Sequence, residues 1–196
     1  MNPSAPGPSA PGASQAPALP QEPGAAARLR SGRGLRPFHV VLVEPEIPPN
    51  TGNIARLCAA TRSRLHLVEP LGFRIDEHAV RRAGLDYWPL VDLSTSPSYA
   101  ASRQRIQEQD PEARLWLFTG KAARSYLDVG FRPGDALVFG KESRGLPDSL
   151  LDADPDSWVG IPTLGPVRSL NLANAVAIAL YEALRQVGEL DGAALG

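Results

Sequence analysis

From Phe38 onward, short runs of branched apolar residues alternate with stretches of helical periodicity, and this alternation leaves few architectures open. Phe38-His39-Val40-Val41-Leu42-Val43 reads as a strand buried on both faces, because consecutive positions are apolar. Asn50 to Thr61 reads as a helix: Ile54, Leu57, Cys58 and Thr61 fall at helical spacing, and Asn50 or Thr51 is suited to cap its start. Leu65 to Val68 gives a second strand, Asp76 to Arg82 a short helix ending at Gly84, Leu90 to Leu93 a third strand and Ser98 to Gln109 a third helix. Arg114 to Thr119, Ala136 to Phe139 and Trp158 to Ile161 are further strands, and Leu170 to Gln186 is a long final helix. The pattern predicts an α/β fold, a mostly parallel sheet with helices on both faces. Such sheets bind ligands beyond the carboxyl ends of their strands, which directs attention to the loops after Val43, Thr119, Phe139 and Ile161.

Residues 1–36 do not share this pattern. They are rich in Pro, Ala, Gly and Ser and nearly devoid of branched apolar residues, too few to offset the entropy of ordering. We read them as a disordered tail preceding a single domain over residues 37–190. The tail carries Arg28, Arg30, Arg33 and Arg36 against Glu22 alone, about +3. It is a solvated extension on the plainest reading, with arginines that could add weak RNA affinity. The whole chain has a formal charge of −1, so RNA binding would have to run through a local arginine patch instead of net attraction. With 43% hydrophobic residues and no apolar run of about 18, the chain reads as soluble, with no membrane partner. No secretory signal is visible. Cys58 is the only cysteine, which rules out an internal disulfide and makes a cytoplasmic location the expectation. His39, His66 and His78 are scattered without a second cysteine, so no metal site is expected.

Three loops carry the chemistry. In Glu44-Pro45-Glu46-Ile47-Pro48-Pro49-Asn50-Thr51-Gly52-Asn53 the prolines stiffen a turn and Gly52 admits a close backbone neighbour. Arg56 follows one turn into the helix, where an RNA phosphate would sit well; an ordinary helix start with a solvated arginine is the competing reading. The second, Gly140-Lys141-Glu142-Ser143-Arg144-Gly145-Leu146-Pro147, makes a tight loop after a buried strand. It lacks the spacing of a phosphate-binding loop and could be a plain strand-to-helix turn. In the third, Ile161 to Asn174, Pro162, Gly165 and Pro166 fix the path before a helix that is apolar nearly all round, and hence buried in the core or between subunits. Asn171 there suits a cap, and Asn174 a satisfied buried amide. Cys58 and Trp116 read as core, as do Tyr87 and Trp88. Gly32-Arg33-Gly34 precedes a strand and so is no dinucleotide fingerprint.

Together and in this order, the three loops resemble the SpoU branch of the SPOUT methyltransferases over about Phe38 to Val187. The Glu44–Asn53 stretch and Arg81-Arg82-Ala83-Gly84-Leu85-Asp86-Tyr87 are similar to its TrmL (YibK) subfamily. That resemblance implies a C-terminal trefoil knot, a homodimer built largely on the first and last helices, and S-adenosylmethionine as cofactor. It implies transfer of a methyl group to the ribose 2′-hydroxyl of the wobble nucleotide, cytidine or a modified uridine, in the anticodon stem-loop of leucine tRNAs. Carried over by position, the cofactor contacts would be Phe118, Thr119, Gly140, Glu142, Ile161, Ser169 and Leu170. The RNA contacts would be Asn50, Arg56, Arg81, Arg82, Arg144 and Arg168, with Arg81 and Arg82 equally readable as plain surface charges. Lys141 departs from the small residue or proline usual at its position.

Arg56 is the catalytic candidate. A guanidinium holds its proton too firmly to be a ready base, so the favoured role is to stabilise the developing alkoxide and hold the adjacent phosphate. A deprotonated Arg56, or Glu142, is the alternative proton acceptor. Rival readings are a SpoU-type enzyme acting on rRNA or another tRNA position, a non-catalytic RNA-binding protein of this fold, and a flavodoxin-like nucleotide binder, the last lacking a phosphate loop.

Overall fold

The computed structural model describes residues 29–32, 34–73 and 88–195. Its main sheet has six strands, all parallel: β2 (His39–Val43), β3 (Arg64–Val68), β4 (Leu93–Ser96), β5 (Leu115–Phe118), β6 (Ala136–Phe139) and β7 (Trp158–Val159), in the order β4-β3-β2-β6-β5-β7. The chain steps outward from β2 through β3 to β4, crosses to β5 on the other side, then fills the place between β5 and β2 with β6 before β7 adds outside β5. The loops leaving β2 and β6 therefore diverge at a topological switch point, where open parallel sheets take up ligands.

Alternate side chains of each strand enter two separate cores. Val40 and Leu42 of β2 face helices α1 (Pro48–Thr61) and α4 (Leu172–Gln186), which bury Ile54, Ala55, Cys58, Val176, Ala179, Leu180 and Ala183. Val41 and Val43 face the opposite layer, with Ile106 of α2 (Tyr99–Gln109) and Leu151 of α3 (Asp148–Asp152). Every residue of β2, β5 and β6 is buried, as expected for strands covered on both faces.

Several expectations need correction. The third strand begins at Leu93, not Leu90; Trp88–Leu90 forms a 3₁₀ turn, consistent with Pro89 interrupting the apolar run. Helix α1 begins at Pro48, and neither Asn50 nor Thr51 caps it: Ile47 stands at the cap position without a side-chain bond. Two prolines in the first turn bring a preset φ and no N–H to satisfy, so a side-chain cap has less to do. Asn174, expected buried, is exposed, and so are Ile178 and Tyr181 on the same helix. Helix α4 is thus buried on one side only. The helix expected over 76–82, together with Arg81, Arg82, Tyr87 and His78, lies outside the described residues.

Two residues of the segment read as tail, Leu29–Arg30 (β1), pair antiparallel with Ala194–Leu195 (β8). The Leu35 amide donates to Glu189 Oε1 at 2.9 Å, which fixes this segment near the end of α4.

One buried network was not legible in the sequence. His39 and His66 lie on neighbouring strands with His39 Nδ1 2.8 Å from His66 Nε2. The line continues from His39 Nε2 to Asp110 Oδ2 at 2.9 Å and from His66 Nδ1 to Ser94 Oγ at 2.8 Å. Two neutral rings satisfy this chain: His39 donates to Asp110, His66 donates to His39, and Ser94 donates to His66. Burial, followed by the adjoining ring of His39 and the charges of Arg64 and Arg105, pulls His66 down to about 3. The network lies under α2 and joins the sheet to the end of that helix.

Candidate functional site

The site is assembled from loops at the carboxyl ends of the strands. Directly after β2, Glu44 adopts a left-handed backbone, φ 54°, and the chain turns into α1. Directly after β6, residues 140–145 close on themselves: the Gly145 amide donates to the Lys141 carbonyl at 2.8 Å. Gly145 has φ 74°, and a Cβ on Gly140 would come within 2.0 Å of the Gly145 carbonyl carbon. This ring is possible only with glycine at its base.

Acidic side chains tie the ring to the β2–α1 loop in both directions. Glu142 accepts from the Glu46 amide (2.8 Å), the Ile47 amide (3.3 Å) and the Asn50 side-chain amide (2.9 Å). Glu46 in return accepts from the Ser143 amide (3.1 Å) and hydroxyl (3.0 Å). Hydrogen bonding from Ser143, reinforced by Lys141 and Arg144, holds the Glu46 carboxyl below the usual carboxylate range. Lys141 Nζ lies 2.6 Å from Glu44 Oε2.

The third loop joins through asparagine. Asn171 donates from its amide to Asn50 Oδ1 at 3.0 Å while its own oxygen accepts from the Ala173 and Asn174 amides, capping α4. Glu142, Asn50 and Asn171 thus form one line of hydrogen bonds through all three loops. Arg168 adds a bond to the Ser143 carbonyl at 3.2 Å.

Sequence-predicted residues divide into groups against this frame. Phe118 and Thr119, Gly140, and Ile161 come together: they lie at or just beyond the ends of β5, β6 and β7, which are neighbours in the sheet. Phe118 stacks on Phe139 with ring centroids 4.5 Å apart. Ser169 and Leu170 immediately precede the Asn171 cap. Glu142 faces the β2–α1 loop, where its carboxylate is engaged by three donors and anchors the ring to that loop. Asn50 is buried between Glu142 and Asn171, with its amide used inside the protein. Arg56 and Arg144 are exposed, as is Arg168. Because α1 begins at Pro48, Arg56 sits about 12 Å along the helix, beyond the reach of the helix-terminus field invoked for it.

Glu44, Glu46 and Ser143 were missed as site residues. The signal of Glu44 and Glu46 was available only as unexplained acidic residues in a proline-rich loop, and Ser143 gave none. Cys58 is core, its thiol pushed up to about 12 by burial. Trp116 is core too, with its indole N–H on Asp135 Oδ2 at 3.0 Å. Among the described residues no group of three or more His, Cys, Asp and Glu side chains is arranged to hold a metal ion. No described helix is long and apolar enough to cross a membrane.

A sequence model of the SpoU rRNA Methylase family matches residues 37–181. A tRNA (cytidine(34)-2'-O)-methyltransferase of Acidovorax sp. (strain JS42) is 49% identical over 151 residues, covering 76% of this chain and 91% of its own. A solved structure bearing on the 2-OH methylation of C/U34 on tRNA is 48% identical, with a TM-score of 0.70, over 77% of this chain and 96% of that one. The SpoU methyltransferase AviRb from Streptomyces viridochromogenes, in complex with the cofactor AdoMet, is 25% identical with a TM-score of 0.65, over 78% of this chain and 58% of that one.

Proposed function

The chain belongs to the SpoU rRNA Methylase family, and from that premise we propose that it methylates the ribose 2′-hydroxyl of the wobble nucleotide of tRNA with S-adenosylmethionine as cofactor. The observation that carries this reading is the hydrogen-bond line Glu142–Asn50–Asn171, which draws three separate loops into one site. Its likeness to the cytidine(34) enzyme of Acidovorax, at 49% identity, supports position 34 over rRNA as the target. Cytidine or a modified uridine in leucine tRNAs is the proposed nucleotide.

The residues present fit the cofactor. Gly140 and Gly145 let the ring close tightly on itself at the end of β6, and backbone carbonyls at the strand ends suit a cation without placing a full negative charge against it. Leu164 and Val167 stand in solvent, 106% and 58% exposed; apolar side chains so placed beside a site are suited to cover an adenine. When bound, S-adenosylmethionine supplies an electrophilic methyl group. We assign its binding to Phe118, Thr119, Gly140, Ile161, Ser169 and Leu170.

The protein's own task is to hold a ribose hydroxyl in line, and positioning of this kind lowers barriers by about 7–11 kcal/mol in favourable cases. Arg56 is assigned to the alkoxide and its neighbouring phosphate, with Arg144 and Arg168 gripping the RNA backbone. Arg81 and Arg82 are proposed to contribute to the same grip. Asn50, expected to touch RNA, is assigned instead to hold the loops together. The exposed Ile178 and Tyr181 on α4 support a homodimer, and the return of the chain from edge strand β7 to α4, which packs on α1 and β6, is compatible with a knotted C-terminus. The enzyme would work in the cytoplasm, without a metal.

The test is direct. Purified protein, S-adenosylmethionine and unmethylated tRNA are incubated and nucleosides are identified by mass spectrometry. A 2′-O-methylated nucleotide at position 34 is the expected product; a methyl group elsewhere, or none, refutes the assignment.

A further inference from the structure

Strand β2 ends beside β6, in register to Leu42 and Phe139, and the two chains part at Glu44 and Gly140. Glu44 is left-handed at φ 54°, a conformation that costs energy in any residue with a Cβ and persists only when its surroundings hold it. On the β3 side it is held: the Glu44 amide donates to the Val68 carbonyl at 2.9 Å. On the β6 side its carboxylate meets Lys141 Nζ at 2.6 Å, with the two side chains 29% and 26% exposed. Lys141 is also the residue whose carbonyl closes the ring by accepting the Gly145 amide.

The bonds from Glu142 and Ser143 reach residues 46, 47 and 50. They lie beyond the bend and lock the ring to the start of α1. None of them fixes the bend itself. We propose that Glu44 and Lys141 are a positioning pair for the methyl transfer: their ion pair sets the angle at which α1, carrying Arg56, leaves the sheet relative to the ring that borders the cofactor site. This inference rests on the reading of the site as a methyltransferase centre. Neither side chain is assigned a contact to substrate. The pair acts on the alignment of Arg56 with the ring.

The pair predicts a particular split. Lys141→Ala lowers kcat for tRNA methylation about tenfold, while the dissociation constant for S-adenosylmethionine, measured by calorimetry, changes less than twofold. Amide hydrogen exchange in residues 141–146 becomes faster in the same variant, without added cofactor or tRNA. Lys141→Arg keeps most of the activity, and the exchanged pair Glu44→Lys with Lys141→Glu recovers most of what either single reversal loses. Unchanged kcat and unchanged exchange in Lys141→Ala overturn the proposal, as does an exchanged pair no better than the worse single variant. Should the wild-type protein transfer no methyl group to tRNA, the wider functional reading fails, and the exchange measurement still decides whether the pair holds the bend.

Discussion

Replacing Asn50 by alanine tests the line that draws the three loops together. Asn50 is 7% exposed and makes two side-chain bonds, one to the Glu142 carboxylate at 2.9 Å and one from the Asn171 amide at 3.0 Å. A bond to a charged group contributes about 1.5–3 kcal/mol and a neutral one about 0.5–1.5 kcal/mol. Glu142 keeps two backbone donors after the change, and Asn171 keeps its capping bonds to Ala173 and Asn174, so the losses do not spread further. The sum is about 2–4 kcal/mol. For a chain of this size each kcal/mol moves the melting temperature by roughly 2–4 °C. We therefore expect a fall of roughly 5–15 °C, a lower urea midpoint at unchanged slope, and weaker binding of S-adenosylmethionine in calorimetry. Asn50→Asp is the sharper control: it cannot donate and sets a second carboxylate against Glu142, so it should do at least as much harm as alanine. A destabilisation below about 0.5 kcal/mol in Asn50→Ala would mean that the line is geometry without energy.

Three further outcomes follow from other parts of the molecule. Arg56→Ala should lower kcat by on the order of 10²-fold with cofactor affinity within twofold, and near-normal turnover would remove Arg56 from the catalytic role. Gly140→Ala must push a Cβ into the Gly145 backbone at 2.0 Å; calorimetry should find cofactor affinity reduced by on the order of tenfold or more, and intact binding would mean that the ring is not the cofactor wall. His66 is held down to about 3 in the folded protein by its burial, whereas the unfolded chain takes up the proton near its ordinary value of about 6.5. Its stabilising effect is therefore complete above about pH 6.5 and is lost as pH falls toward 3, about 2 kcal/mol by pH 5. Melting curves between pH 7.5 and 5 should show the fall, smaller in a His66→Gln variant, and an equal fall in both would exclude this histidine as the cause.

Much of the architecture was legible because it rests on local patterns. The runs Val40–Val43 and Ala136–Phe139 are apolar at successive positions, which only a strand covered twice tolerates. The Asn171 cap was visible as an asparagine before an apolar helix. What sequence could not give was pairing across the chain. Asn50 looked like a cap because the partners of its side chain, Glu142 and Asn171, lie 92 and 121 residues away. The anchoring bonds of Glu142 were hidden for the same reason, its donors being 92–96 residues distant. The two histidines looked scattered until parallel strands set them side by side. Proline also misled: Pro48 and Pro49 were read as stiffening a turn when they open a helix.

The short β1–β8 ribbon joins the first described residues to the last, near Glu189. From the Asn171 cap, α4 runs about 22 Å away from the loops before reaching that ribbon. The two ends of the described segment therefore lie side by side, at the far end of α4 from the Asn171 cap. A fluorophore, an affinity handle or a surface tether fused there would stand a helix length from the three joined loops, and a brief peptide bridging residues 29 and 195 would allow the domain to be re-opened elsewhere as a circular permutant.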